Sequence, residues 1–216
     1  MKRNRNRQIL YPVLKVGITG GIGSGKTTVC KLFEQLGVPI YYADDRAKYL
    51  MQHEHYLIDL IKQNFGAEVY DNGGVLNRRL LAEKVFNNTE KLALLNSLVH
   101  PAVFRDTERF VEQQQIKNLP YAMKEAALLV ETGSYKSLNK LIVVTAPLEL
   151  RIQRVAARDG ATRDEILARM RNQLPEEEKI KLADYIITND KDEEHLKQQV
   201  LNIHQQLLEL RNKIKA

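Results

Sequence analysis

The feature that most limits how this chain can fold is the run from Leu14 to Thr28, Leu-Lys-Val-Gly-Ile-Thr-Gly-Gly-Ile-Gly-Ser-Gly-Lys-Thr-Thr. A short stretch rich in β-branched residues (Val16, Ile18, Thr19) leads into a glycine cluster, and a helical pattern begins at Lys26. Gly20, Gly25, Lys26 and Thr27 occupy the fixed places of G-x-x-x-x-G-K-[ST], the phosphate-binding P-loop. Glycines let the backbone turn through positive φ and bring its N–H groups up to phosphate. The helix that follows adds the positive end of its dipole to the same anion site. A lysine at position 26 neutralises β/γ-phosphate charge, and the Thr27 hydroxyl can join the coordination of Mg²⁺. The bland alternative is a glycine-rich turn before a helix. From average composition, a chance match to the four fixed places in a chain this long is about a 1% event. The dinucleotide fingerprint G-x-G-x-x-G is not met, because Gly21 and Gly23 are followed by Lys26 where a third glycine is needed.

The rest of the chain continues the strand–helix alternation. Val29, Leu32, Phe33 and Leu36 recur at helical spacing up to Gly37, and residues 38–42 read as a second strand. Asp44 and Asp45 lie just past its carboxyl end, where open α/β sheets bind ligands. Asp44 reads equally as a base or substrate-binding carboxylate and as the N-cap of the next helix. Residues 46–115 look mostly helical, with breaks at Phe65-Gly66 and at a turn over residues 71–74. Asp71 to Gly74 fits a D-x-x-G pattern, but no N-K-x-D guanine motif follows. Arg78 and Arg79 open a helix, and a further helical run is interrupted at His100-Pro101, where proline predicts a break or kink. This helical insertion, over about residues 48–118, reads as a substrate lobe or as a plain cap over the sheet.

A third strand with a turn is expected within residues 120–131, bringing Glu125 or Glu131 to the metal side of the site. Residues 141–145 form the most apolar strand pattern, and Pro147 opens a helix. Arg151, Arg154 and Arg158 share one helical face, and Arg163, Arg169 and Arg171 follow. Six arginines over about residues 148–172 suit a lid closing on polyphosphate, and interleaved acids suit a solvated face. Tyr185–Thr188 reads as the last strand, with Asn189 at its end near where an adenine could sit, and a long amphipathic helix closes the chain.

Composition narrows the setting. A net charge of +6 permits nucleic acid but attracts acidic small substrates equally, and no RNA-binding signature with stacking aromatics is present. The single cysteine, Cys30, rules out an intramolecular disulfide, fits a reducing cytoplasm and reads as a buried helix thiol. No apolar run approaches the ~20 residues needed to span a bilayer. The basic stretch Met1–Arg7, within an extension over residues 1–13, lacks the apolar continuation of a secretory signal.

Taken together, these patterns predict an α/β fold, a P-loop three-layer architecture with a parallel five-stranded sheet, in which residues 14–47 and 119–216 form the core of a single domain. The sequence closely resembles the dephospho-CoA kinase family. The resemblance rests on Gly17–Thr28, Leu36–Pro39, Ala43-Asp44, Leu76–Arg79, Leu98–Pro101, Leu128–Glu131, Arg154, Arg158-Asp159, Ala183–Ile187 and Asn189, in the family's order from residue 14 onward. Tyr42 stands where the family usually has the first acid of Asp-Ala-Asp, which concentrates the expectation on Asp44. Ala127-Leu128-Leu129 replaces Pro-Leu-Leu, and a frequent family glutamine aligns with Arg151, so no role is carried to that residue.

The resemblance implies ATP-dependent phosphorylation of the ribose 3′-hydroxyl of dephospho-CoA, the last step of coenzyme A synthesis, with Mg²⁺. In that reading Gly21, Gly23, Ser24, Gly25, Lys26, Thr27, Thr28 and Asn189 bind ATP, and Thr27 meets the Mg²⁺ that ATP carries. Lys26 and Asp44 are catalytic, Asp44 also binding substrate with Arg79 and His100. Arg154 and Arg158 are lid residues on phosphate. His100 has a second reading, capping the break at Pro101. The expected partners are ATP and dephospho-CoA, with no nucleic acid and no membrane, on a cytoplasmic monomer or weak homo-oligomer. The rival readings are a nucleoside or nucleotide monophosphate kinase and a P-loop ATPase coupled to nucleic acid.

Overall fold

Strand β1 (Leu14–Gly20) is buried along almost its whole length, because neither face of it meets water. An apolar run of this kind needs a parallel sheet with helices on both sides. In the computed structural model, which describes residues 12–86 and 88–215, β1 lies at the centre of a five-stranded sheet. The others are β2 (Ile40–Tyr42), β3 (Tyr121–Glu125), β4 (Lys140–Thr145) and β5 (Tyr185–Thr188). The order is β2-β3-β1-β4-β5 and the strands are parallel. Val16 pairs with Met123 of β3 and with Lys140 of β4. Helix α1 (Lys26–Gln35) leaves β1 and leads to β2 on one flank. The helices after β4, which are α6 (Leu148–Asp159), α7 (Arg163–Arg171) and α8 (Glu176–Ile180), lead to β5 on the other. The chain therefore diverges between β1 and β4, and the crevice at their carboxyl ends is the topological switch point where such sheets take ligands.

Two units are distinguished by their internal contacts. The first runs up to Tyr41 and resumes at Val111. Its sheet is covered on one side by the cluster of Leu129, Leu141 and Val143 with Ile180 and Ala183. Elsewhere in this unit α1 packs against α9 (Glu193–Lys215), which buries Leu196, Val200, Ile203 and Leu207 at helical spacing. The Tyr121 hydroxyl and His204 Nδ1 share a 2.6 Å hydrogen bond that ties the start of β3 to α9. Cys30 is buried in α1, where desolvation, with Glu125 adding its charge, pushes the thiol well above its usual pKa.

The second unit, Tyr42–Phe110, holds α2 (Ala43–His53), α3 (His55–Phe65), α4 (Arg78–Val85) and most of α5 (Thr89–Ile116). Its own core gathers Leu57, Ile61, Phe65 and Val69 with Val99 and Ala102 of α5. The turn expected at residues 71–74 is present: Asp71 Oδ1 accepts from the Gly73 and Val75 amides, below a bridge between Tyr70 and Leu76. Of the break or kink expected at Pro101, the break is absent. Helix α5 runs without interruption through Pro101. Proline removes one ladder hydrogen bond, and burial of Val99 and Ala102 on either side of it holds the helix together. The strand expected from residue 38 begins only at Ile40. The basic stretch Met1–Arg7 lies outside the described residues. No described helix is long and apolar enough to cross a membrane.

Candidate active site

The loop after β1 is shaped by what its glycines permit. At Gly20 a Cβ would collide with the Val144 carbonyl oxygen of β4, so only glycine lets β1 end this close to its neighbour. Gly25 precedes α1 with φ 92°, a left-handed conformation, and a Cβ there would collide with the Asn189 side-chain amide. No side chain caps the start of α1. Its first-turn N–H groups have no carbonyl one turn earlier to bond, and with the helix dipole they form an anion site. The Lys26 ammonium donates to the Gly20 carbonyl at 3.0 Å, folding back across the loop. Thr27 and Thr28 are exposed at the same turn.

Three residues from distant parts of the chain hold this loop. Asn189, directly after β5 and buried, donates from Nδ2 to the Ser24 carbonyl at 2.9 Å. Its Oδ1 accepts from Arg154 Nη2 at 3.2 Å. Gln173 Oε1 accepts from the Ile22 amide at 2.9 Å, and Arg151 Nε donates to the Ile22 carbonyl at 2.9 Å. Arg154 Nη1 is buried and has no hydrogen-bond partner among the described residues. An orphaned guanidinium nitrogen costs free energy unless an acceptor arrives, so this position suits an anion.

The arginines of α6 and α7 divide by partner. Arg154 keeps its open nitrogen beside Gly25. Arg158 instead donates twice to Asp159, at 2.7 and 3.0 Å, and is largely exposed. That fork, with Arg169, holds the Asp159 carboxyl below its usual pKa. Arg163 makes a double contact with Glu149, both at 2.7 Å. Thr162 and Glu165 cap each other at the start of α7. Arg158, held by an exposed acid, and Arg154, with its open buried nitrogen, thus share the helix α6.

The two candidate metal acids also part company. Glu131 pairs with the buried Lys179 at 2.7 Å and accepts from the Leu174 amide at 3.2 Å. Glu125 ends β3 and is buried in register with Ile18, two residues before Gly20. Among the described residues, no group of three or more His, Cys, Asp or Glu is gathered to cage a metal ion. Glu125 and Thr27 carry the oxygen donors that Mg²⁺ prefers, one at the end of β3 and one in the first turn of α1.

Asp44, Arg79 and His100 belong to the second unit. Asp44 is the second residue of α2, immediately after β2, and is exposed. The Arg79 side chain is 90% exposed on α4 and bridges Glu83. His100 is exposed on α5, and since α5 continues through Pro101 there is no break for it to cap. Sequence reasoning missed Gln173 and Glu176, which carried no signal, and it counted Arg151 among the lid arginines without its hold on Ile22.

A phosphate cradle at the switch point of a parallel sheet, with a cationic helical segment rooted beside it, is the architecture of the P-loop kinases. The family model for dephospho-CoA kinase matches residues 14–195. The chain is 37% identical over 199 residues to a dephospho-CoA kinase of Mannheimia succiniciproducens, covering 90% of this chain and 92% of that one. It is 41% identical over 175 residues to one from Salinibacter ruber, covering 81% and 88%. Among solved structures, TT1252 from Thermus thermophilus superposes with a TM-score of 0.78 at 36% identity, over 92% of this chain and 99% of that one. Dephospho-CoA kinase from Campylobacter jejuni superposes with a TM-score of 0.62 at 26% identity, over 89% and 96%. The chain belongs to the dephospho-CoA kinase family.

Proposed function

We propose that the chain transfers the γ-phosphoryl group of ATP to the ribose 3′-hydroxyl of dephospho-CoA, giving coenzyme A and ADP, in the cytoplasm. The observation that carries the site assignment is the orphaned Arg154 Nη1 beside Gly25, a cation awaiting an anion next to a helix N-terminus. Backbone N–H groups of Gly21, Gly23, Ser24, Gly25, Lys26, Thr27 and Thr28 take the phosphates. Lys26 exchanges the Gly20 carbonyl for phosphate oxygen, at no loss of hydrogen bonding. Asn189 acts as a brace between Ser24 and Arg154, which fixes the loop rather than reading a base. Thr27 and Glu125 would hold Mg²⁺, which when bound neutralises charge on the β- and γ-phosphates.

Asp44 orients the 3′-hydroxyl and takes its proton as the oxygen bonds to the γ-phosphorus. The bond from that phosphorus to the β–γ bridging oxygen breaks, and ADP leaves with the electron pair. Arg79 and His100 bind the coenzyme precursor. Arg154 stabilises the charge that moves onto the leaving oxygens. Arg158 joins it by exchanging Asp159 for phosphate, and closure of the arginine segment keeps water from competing as acceptor.

The test is ADP release with MgATP, with and without dephospho-CoA, and identification of the product by mass and position. Acceptor-dependent ADP with a new 3′-phosphate is expected, and Asp44→Asn should lower kcat by about 100-fold. No acceptor-dependent turnover from folded, ATP-binding protein would overturn the proposal.

A further inference from the structure

A single residue of the phosphate loop, Ile22, is gripped through the two successive peptide groups that flank it. The Ile22 amide is taken by Gln173 and the Ile22 carbonyl by Arg151, each at 2.9 Å. Arg151 is itself held from behind, because its Nη1 donates to Glu176 Oε2 at 2.9 Å. That pair is mostly buried, with side chains 11% and 23% exposed. Burial raises the Glu176 pKa and the Arg151 charge opposes the rise. A guanidinium suits this place, since its planar fork can serve a carbonyl along one edge and a carboxylate along another. Neither of the two peptides that flank Ile22 can rotate without breaking its own hydrogen bond, and the bond to Arg151 is charge-assisted.

The two gripping side chains come from opposite ends of the arginine segment. Arg151 lies in the first turn of α6, and Gln173 follows the last residue of α7 by two. Both roots of residues 152–172 therefore meet on one loop residue, at the crevice between β1 and β4. A cavity of about 400 Å³ opens beside the clamp, lined by Gly21, Arg151, Leu167, Met170 and Gln173, so the segment has room to move on its roots.

We infer that Arg151 and Gln173 are positioning residues that couple phosphate occupancy of the loop to closure of the arginine segment. They set the orientation of the peptides on either side of Ile22, and any shift of that residue on nucleotide binding passes to both ends of the segment at once. This rests on the proposed kinase reaction, in which segment closure keeps water away from the γ-phosphate.

The test uses the full chain with Arg151→Ala, Gln173→Leu, the double variant and Arg151→Lys, each checked for folding by circular dichroism and melting. KM for MgATP is measured, together with the ratio of ATP hydrolysis without acceptor to transfer with dephospho-CoA. Each single variant should raise both by about 10-fold and leave KM for dephospho-CoA within about twofold. The double variant should be no worse than the worse single one, since both act on one residue. Arg151→Lys, which keeps one donor, should recover part of the loss. Wild-type values in the folded variants would overturn the inference. So would a parallel fall in transfer and hydrolysis with an unchanged ratio, which is what a merely structural contact would give. If Arg151→Ala does not fold, Gln173→Leu and Arg151→Lys carry the same comparison. If wild-type protein itself shows no acceptor-dependent turnover, the kinase reading has failed separately. Calorimetric MgATP affinity of the same variants then decides, and unchanged affinity overturns the coupling.

Discussion

The phosphate loop and the arginine segment both point to phosphate, but they are built from different material. The loop offers backbone groups, and its shape follows from glycines that let β1 stop against Val144 and let the chain turn left-handed before α1. The segment offers side chains, and what each can do depends on which acid that arginine has taken. Arg158 and Arg163 are occupied by Asp159 and Glu149, whereas Arg154 keeps a buried nitrogen open. A cationic stretch is therefore not one functional unit. What distinguishes its members is the neighbour that each meets on folding.

Substitution can break that contrast, and the largest effect should fall on the loop. Lys26→Met removes the charge that replaces water at the phosphates, and kcat should fall by about 10²- to 10³-fold with the fold intact by circular dichroism. A smaller loss would mean that the backbone cradle and Arg154 carry most of the stabilisation.

The arginines should come next and should differ among themselves. Arg154→Ala should cost about 10- to 100-fold in kcat/KM, and Arg158→Ala about fivefold, because the latter must first give up Asp159. Arg163→Ala, on an exposed pair, should leave both activity and Tm unchanged. Equal losses at Arg154 and Arg158 would remove the distinction by partner.

The smallest effect lies away from the site, at His204. Burial lowers its pKa below the ordinary value of 6.5, so the unfolded chain binds the proton more readily than the folded one. Well above pH 6.5 His204 is neutral in both states and contributes no slope. As pH falls through 6.5 and then through the lowered folded value, its contribution to stability is lost. The wild-type Tm should thus drop between about pH 7 and 5 by more than that of His204→Phe. Parallel Tm curves for the two proteins would refute it.

How much of this was legible beforehand depended on distance along the chain. The glycines and Lys26 act on their own backbone, and the buried strand at Lys140–Thr145 shows as an apolar run, so both could be read directly. The turn at Asp71–Gly74 closes through the Asp71 side chain within four residues and was equally plain. Pro101 misled, since its local preference is a break, and the packing that overrides it comes from Leu57, Ile61 and Phe65 far earlier in the chain. The role of Asn189 as a brace was hidden as well, because it depends on a hydrogen bond to Ser24 across 165 residues.

By itself the sequence determined the strand–loop–helix that cradles phosphate, the alternation that makes a parallel sheet, and the family to which the chain belongs. These follow from periodicity and from residues that restrict their own φ and ψ, which need no partner to act. Only the tertiary structure decided which arginine stands open, which acid is already paired, and that Ile22 is held by residues 129 and 151 positions away. Those outcomes are allocations of hydrogen bonds among side chains with several possible partners, and only the packed chain brings the candidates within reach of one another.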